Sequence, residues 1–440
     1  MYTSGSTGTP KGVELTHDNI LTVIRGFLVV VDEEMVGGTY TGYLPLAHIF
    51  EVTMELISLS LGMRIGYSSL LTLTDQSSAI AQGQQGDLSL LNPEMMPMVP
   101  LVLDRMKKSI TQKVASRGKV FQRLFNHAVS YKTYWMHLGF GTPLLDAILF
   151  NKAKMILGGK LRRIVIGSAQ VSEDSHVFAR ACLCRNILCG YGMTETAAAI
   201  SIQLPGAMTP SVCGAPLRNI YVRLEPWPEG GYDPRDKPRP RGEILAGGSV
   251  VAKAYLNNPQ LTEQSIVVID GIRYLRTGDI GEMTEQGEIR IIDRKKDLFK
   301  GPTGEYIALG KVEADLKTCV LIENICVYGD PKSGRLVALV NPNRAELEEL
   351  ARRSGIRGSI DELCENHTVR REVILALKRH CLSKQLSFKE TPSTAVLCPT
   401  PWTPETGFVT ASMKVCRKPI IEHYRERTER ELEALLRPNS

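Results

Sequence analysis

The sequence predicts a layered α/β domain followed by a smaller α+β domain. Three observations carry that expectation. Helix-like and strand-like segments alternate through the first part of the chain, which is the pattern of a sheet covered by helices. With 440 residues, 43% of them hydrophobic and 23% charged, the chain is long and apolar enough to build cores for two or three domains. Past Asp293 the texture changes to charged helices, which places a boundary there and gives domains of residues 1–293 and 294–440.

Taken in order, apolar spacing predicts helices over residues 17–35 and 50–62, with strands at Thr39–Leu44 and Arg64–Tyr67 between them. A strand over Leu161–Ile166 runs into Gly167-Ser168-Ala169, and a helix follows Ser172. From Glu225 to Gly242 the run PWPEGGYDPRDKPRPRG is too rich in Pro and Gly for regular structure and reads as an exposed connection. Short strands are expected at Gly242–Leu245 and Gly287–Ile292, and helices over Asn343–Arg353 and Lys418–Leu436.

Composition narrows the function classes. No run approaches the roughly 18 apolar residues that a membrane span requires, and no signal-peptide pattern precedes the first motif. The ten cysteines form no CxxC pair, so reduced thiols are expected and a zinc site is not. The net charge of +6 is unevenly placed: thirteen Lys/Arg residues lie between Asp104 and Arg163 against only Asp104 and Asp146. That surplus fits anionic lipid or a polyphosphate ligand, with solvated helix faces as the competing reading.

The chain opens MYTSGSTGTPKGV. A glycine-rich loop beside a lysine suggests phosphate, but the P-loop NTPase pattern fails here. Pro10 has no N–H to offer, and Gly12 stands where a metal-holding hydroxyl should be. What remains is Thr3, Ser4, Ser6, Thr7 and Thr9 interleaved with Gly5 and Gly8 and followed by Lys11, a set able to wrap phosphate oxygens with amides, hydroxyls and one ammonium. A flexible Gly/Ser surface turn is the alternative.

Four further segments bear polar chemistry. Tyr191-Gly192-Met-Thr194-Glu195 offers an aromatic ring for a planar base, a hydroxyl for phosphate and a carboxylate for Mg²⁺. Thr277-Gly-Asp279 offers a turn-borne carboxylate able to accept two ribose hydroxyls. Asp293-Arg294-Lys-Lys-Asp297, leading into Lys300 and Gly304-Glu305-Tyr306-Ile307, sits at the composition break where a hinge would be needed. Val409-Thr-Ala-Ser-Met-Lys414 places a lysine after small and polar residues. Each motif alone is also compatible with an ordinary turn or a solvated charge.

Together and in this order, these segments resemble the adenylate-forming acyl-activating superfamily over essentially the whole chain. Finer features, Gly42-Tyr-Leu-Pro-Leu-Ala-His48 with Glu51, Leu73-Thr-Asp-Gln-Ser-Ser78 and Pro401-Trp-Thr-Pro-Glu-Thr-Gly407, look like animal long-chain fatty acid:CoA ligases of the type 3 and type 4 branch. The resemblance implies a large adenylate-forming domain, incomplete at its N-terminus, and a mobile C-terminal lid. It implies ATP, Mg²⁺ and CoA as cofactor and co-substrates, and a long-chain fatty acid converted to acyl-CoA through acyl-AMP.

The resemblance also implies residue roles. The opening loop, residues 3–8 with Lys11, would hold the β- and γ-phosphates together with Thr194. Glu195 would bind Mg²⁺, Tyr191 and Gly192 would lie at adenine, and Gly167, Ser168 and Ala169 would line its pocket. Asp279 and Arg294 would take the ribose. Lys414 would be the catalytic lysine that bridges carboxylate and α-phosphate oxygens, Asp293 the hinge, and Gly304, Glu305 and Tyr306 the face used in the CoA step. His48 would sit beside the acyl carbonyl, with a capping histidine as the alternative.

The family further implies a membrane surface as partner, at the endoplasmic reticulum, mitochondrial outer membrane or lipid droplet, and no nucleic acid. Members carry a substantial N-terminal region before the phosphate loop, so a fragment, truncated gene model or alternative product is expected. Rival functions are an acyl-AMP ligase with another acceptor and a non-catalytic nucleotide-binding remnant. Two local departures stand out: the family's Gly-Gly-Ala-Pro-Leu-Ser reads Gly167-Ser-Ala-Gln-Val-Ser172, and Lys-Leu-Lys-Arg reads Lys414-Val-Cys-Arg417.

Overall fold

The computed structural model describes residues 1–4, 10–31, 35–207 and 209–436. The chain is mixed α/β and divides into two compact units, Met1–Ile291 and Ile292–Ser440.

The first unit is built on a seven-stranded sheet in the order Arg64–Tyr67, Thr39–Gly42, Met95–Met98, Arg163–Ile166, Asn186–Tyr191, Ser201–Ile202, Ala215–Pro216. The first five strands are parallel and the last two pair antiparallel. Side chains alternate across a strand, so each central strand feeds two cores. Ile164, Ile166, Met96, Met98 and Ile187 face one core, with the helices Pro100–Ala115, Lys119–His137 and Glu173–Cys182. Val165, Met95 and Leu188 face the other, with the helices His17–Leu28 and Ile49–Ser60 and with Ile244, Ala246 and Leu275 of a second sheet. Burial on both faces explains why these strands read as continuous apolar runs.

That second sheet is antiparallel and orders Tyr221–Glu225, Arg241–Gly247, Ile272–Met283, Ile266–Ile269, with Ile289–Arg294 also on Ile272–Met283. A third, three-stranded sheet joins Tyr2–Ser4, Pro10–Glu14 and Ala254–Tyr255.

The second unit holds a hairpin, Leu298–Lys300 with Tyr306–Ala308, and a three-stranded sheet of Ile322–Gly329, Leu336–Pro342 and Thr394–Leu397. Alternation again splits two cores: Ile325, Val327, Ala338 and Val340 pack toward the helices Leu309–Leu316 and His367–Ser383, whereas Cys326, Val337 and Leu339 meet Trp402, Phe408 and Ile420. All ten cysteines are free thiols. Among the described residues no helix is long and apolar enough to cross a membrane.

Several expected elements end earlier or differ. The first helix runs His17–Leu28, capped by a reciprocal Thr16–Asn19 box, and stops short of residue 35. The expected strand from Thr39 ends at Gly42. The helix after Ser172 is Glu173–Cys182, with the Ser172 hydroxyl accepting the Ser175 N–H. The Pro/Gly-rich connection is not simply exposed: Trp227 is buried and stacks on Tyr232 at 6.0 Å, and the Arg241 guanidinium lies over the other ring. The C-terminal helix is two, Arg417–His423 and Arg425–Leu436, broken at Tyr424, whose ring packs on Phe408 and His423.

Candidate active site

Within the first unit, the three-stranded sheet sets the position of Lys11. Lys11 stands opposite Thr3, while Val13 on the same strand stands opposite Tyr255. Gly12 lets the chain from Tyr255 close in, since a Cβ there would lie 2.9 Å from Leu256. The Lys11 ammonium consequently lies 5.7 Å from the centre of the Tyr255 ring. The Tyr255 hydroxyl donates to Glu195 Oε1 at 2.8 Å. Burial first, and then the Glu195 carboxylate, push the Tyr255 phenol above its ordinary range, so it remains a donor at working pH.

Glu195 is buried, and its Oε2 makes no hydrogen bond to any described residue. It lies on the short 3₁₀ turn Thr194–Thr196, which follows the strand Asn186–Tyr191. The turn is tightly made. A Cβ at Gly192 would lie 2.1 Å from the Ala198 carbonyl oxygen, and both Ala197 and Ala198 adopt positive φ. Thr194, Glu195 and Gly192 therefore belong to one constrained loop.

Tyr191 closes the strand and donates its hydroxyl to Asp279 Oδ2 at 2.7 Å. Asp279 is buried, and its setting corrects the sequence reading: Thr277-Gly278-Asp279 is no turn between elements but a bulge inside the continuous strand Ile272–Met283. Arg276 pairs with Leu245 and Ile280 with Glu243, so three residues oppose Ile244 alone. The Thr277 hydroxyl donates to the Ile244 carbonyl at 2.7 Å and accepts the Asp279 N–H at 3.1 Å, while the Gly278 N–H donates to Glu243 at 3.2 Å. Gly278 takes φ +72, which suits glycine.

His48 caps the helix Ile49–Ser60, its Nδ1 accepting the Phe50 N–H at 3.2 Å. Next to it, a Cβ at Gly167 would lie 3.3 Å from the Phe50 ring, so the start of the Gly167–Ala169 segment packs where that helix begins. Ser168 adopts φ +77, the position where the resembled pattern has glycine. The backbone of Thr3 and Ser4 is strand. Gly5, Ser6, Thr7 and Gly8 lie outside the described residues.

The remaining candidates belong to the second unit. Asp293 is buried and accepts the N–H groups of Arg294 at 2.8 Å and Gly310 at 2.7 Å; burial nevertheless pushes its carboxyl up to about 7. Gly304 and Glu305 form the tip of the hairpin, with Gly301 donating to the Glu305 carbonyl at 2.7 Å and Lys300 opposite Tyr306. The Glu305 carboxylate is held well down, to about 2, by the Thr303 hydroxyl and Lys389.

Lys414 stands on a tight turn. Val409 and Val415 bridge, the Thr410 N–H reaches the Lys414 carbonyl at 2.8 Å, and Met413 takes φ +63. Just beyond, Arg417 donates to Glu313 at 2.6 Å and to the Val327 carbonyl at 2.7 Å, with Asp297 at 3.3 Å. This ties the base of the turn to the core of its unit. Tyr255 and Arg417's partner Glu313 were not legible as site elements, since neither falls in a motif with the residues it holds.

A model of the family described as AMP-binding enzyme matches residues 1–256. The chain belongs to this family. It is 40% identical over 434 residues to long chain acyl-CoA synthetase 8 of Arabidopsis thaliana, covering 97% of this chain and 60% of that protein. It is 36% identical over 441 residues to long-chain-fatty-acid–CoA ligase 2 of Schizosaccharomyces pombe, covering 98% of this chain and 63% of that one. The chain thus spans about three fifths of the length of these curated relatives. Among solved structures, the adenylation domain of a carboxylate reductase from Mycobacterium chelonae superposes with a TM-score of 0.74 at 23% identity, over 98% of this chain and 59% of that one. An O-succinylbenzoate coenzyme A synthetase from Bacillus subtilis, solved with ATP and a magnesium ion, gives 0.59 at 20% identity, over 95% and 68%. These likenesses establish the adenylate-forming fold.

Proposed function

We propose that this chain activates a long-chain fatty acid with ATP and passes the acyl group to CoA. A carboxylate oxygen attacks the α-phosphorus, the bond to pyrophosphate breaks, and acyl-AMP forms. The CoA sulfur, as thiolate, then attacks the acyl carbon and AMP leaves. What supports this reading most is the convergence of Lys11, Tyr255 and Glu195 in the family-matched unit. An ammonium lies over the ring of one tyrosine and a buried carboxylate accepts from its hydroxyl, an arrangement suited to a polyphosphate and its cation.

Among the described residues no group of three or more His, Cys, Asp or Glu could hold a metal by protein ligands alone. A single carboxylate at Glu195 fits Mg²⁺, which binds through one or two carboxylates with phosphates and water completing the shell. When bound, the ion would supply neutralisation of phosphate charge. Lys11 and Thr194 hold the terminal phosphates, Tyr191 and Gly167–Ala169 face adenine, and Asp279 with Arg294 takes the ribose. Lys414, carried by the 294–440 domain, neutralises the carboxylate and α-phosphate oxygens as the anhydride forms. Turning about Asp293 then withdraws Lys414 and presents Gly304–Tyr306 to the thioester step, with His48 near the acyl carbonyl.

The test is exchange of labelled pyrophosphate into ATP by the 440-residue chain, with and without palmitate. Palmitate-dependent exchange that falls at least about 10²-fold in Lys414→Ala is the expected result. Exchange undiminished by that substitution would refute the assigned role. ATP binding by calorimetry without any exchange would instead favour a nucleotide-binding protein that does not catalyse.

A further inference from the structure

We infer, on the reading of Glu195 as the carboxylate that meets the cation of ATP, that Asn19 is a positioning residue for it, acting through residues 249–255. Asn19 lies in the first turn of the helix His17–Leu28 and is buried. Its side-chain oxygen accepts the Thr16 N–H at 2.8 Å. Its amide nitrogen donates to the carbonyls of Ser249 at 2.7 Å and Val251 at 3.0 Å. Both donors and the acceptor of the amide are thus engaged, and the partners themselves fix which end of it is which. An aspartate here would have no proton for either carbonyl, and an alanine would reach none of the three groups.

Residues 249–253 belong to no strand, so their backbone groups need partners from outside a ladder. Asn19 takes two of the carbonyls. Arg273 Nη2 takes two more, those of Ala252 at 3.1 Å and Lys253 at 3.0 Å. Held by these two side chains, the segment delivers the Ala252 N–H to the Glu195 carbonyl at 2.8 Å. Three residues on, it delivers the Tyr255 hydroxyl to Glu195 Oε1, also at 2.8 Å. One segment therefore fixes both the main chain and the side chain of Glu195. Val250, Val251 and Ala252 are buried, so the segment cannot shift without disturbing the core beneath it. A carboxylate held at two points needs little reorganisation to meet the strict octahedral shell of a small divalent cation. Loosening the segment should weaken that meeting while leaving the rest of the nucleotide's contacts in place.

The test compares the 440-residue parent with Asn19→Ala, Arg273→Ala and Thr16→Ala. Hydrogen exchange at the Ala252 amide, followed without nucleotide or metal, should quicken in the first two. It should stay at the parent rate in Thr16→Ala, which weakens the helix cap but leaves the Asn19 amide its partners. Calorimetry then measures how far magnesium strengthens binding of α,β-methylene-ATP, which cannot be cleaved at the reacting bond. Asn19→Ala should cut that gain at least about tenfold while its affinity for the analogue in EDTA stays at the parent value. Arg273 is exposed, so its variant serves where Asn19→Ala does not fold. Unchanged exchange or an unchanged magnesium gain in Asn19→Ala, or in Arg273→Ala if the former does not fold, would overturn the inference. So would an equal loss in Thr16→Ala, since helix stability alone would then account for the effect. A parent whose binding gains nothing from magnesium would instead overturn the reading of Glu195, and the role of Asn19 with it.

Discussion

Replacing Tyr255 by Phe deletes one oxygen and leaves the ring beside Lys11 in place. The lost contact is the 2.8 Å hydrogen bond to the buried Glu195 carboxylate, an interaction of neutral donor and charged acceptor worth about 1.5–3 kcal/mol. Because the ring remains, the 5.7 Å approach of the ammonium survives, and the substitution isolates the role of the hydroxyl in orienting Glu195. Residues that orient a cation-binding carboxylate typically contribute about 10–100-fold to metal affinity or activity. Palmitate-dependent pyrophosphate exchange, measured across a magnesium titration, should therefore show a 10–100-fold loss and a shift to higher magnesium demand. Tyr255→Ala should lose more, since the ring goes as well. If Tyr255→Phe matched the parent at every magnesium concentration, Glu195 would not depend on this hydroxyl, and the polyphosphate reading of the cluster would fail.

Three other outcomes follow from named contacts. Arg417→Ala strands the buried Glu313 carboxylate and should destabilise the second unit by about 3–5 kcal/mol, read by urea unfolding; a cost below about 1 kcal/mol would show that the ion pairs do not anchor the turn. Ser168→Gly relieves a left-handed backbone at φ +77 and should stabilise by about 1 kcal/mol, whereas a lower melting temperature would mean the serine side chain contributes more than the strain costs. Glu51 is fully buried, and burial pushes its carboxyl up from 4.5 to about 7 despite the Tyr40 hydroxyl at 2.9 Å. The folded chain thus holds a proton that the unfolded chain has released, so this stabilisation is complete below pH 4.5 and is lost as pH rises through about 7. The full change is about 3 kcal/mol. Glu51→Gln should flatten the fall in urea midpoint between those limits, and parallel profiles for the two proteins would contradict it.

Local signals carried the sequence reading far where local chemistry governs. Ser172 announces its helix because a hydroxyl at that point satisfies the Ser175 N–H, and the strand Arg64–Tyr67 falls at the bounds expected for it. The Thr277–Asp279 bulge was hidden because Thr-Gly-Asp has turn chemistry; only pairing on both sides with Arg241–Gly247 keeps the strand continuous. Tyr424 interrupts a helix whose apolar spacing runs on unbroken, because rings from distant Phe408 and neighbouring His423 claim it. In the candidate site, the polar motifs were visible as short strings, while Tyr255, 60 residues from Glu195, was not. Its role arises from the pairing of Pro10–Glu14 with Ala254–Tyr255, strands far apart in the chain, and no local pattern encodes such a meeting.

The bulge at Asp279 has an architectural implication. An acid on a free loop can drift through lengthening or shortening of the chain, but this one is indexed to the rungs of a ladder. Removing one residue between Arg276 and Ile280 would leave two residues opposite Ile244, break the alternation of faces across the bulge and turn the carboxylate away from Tyr191. The scaffold thus tolerates exchange of side chains there far better than any change in residue count, and attempts to re-engineer this edge should keep its length fixed.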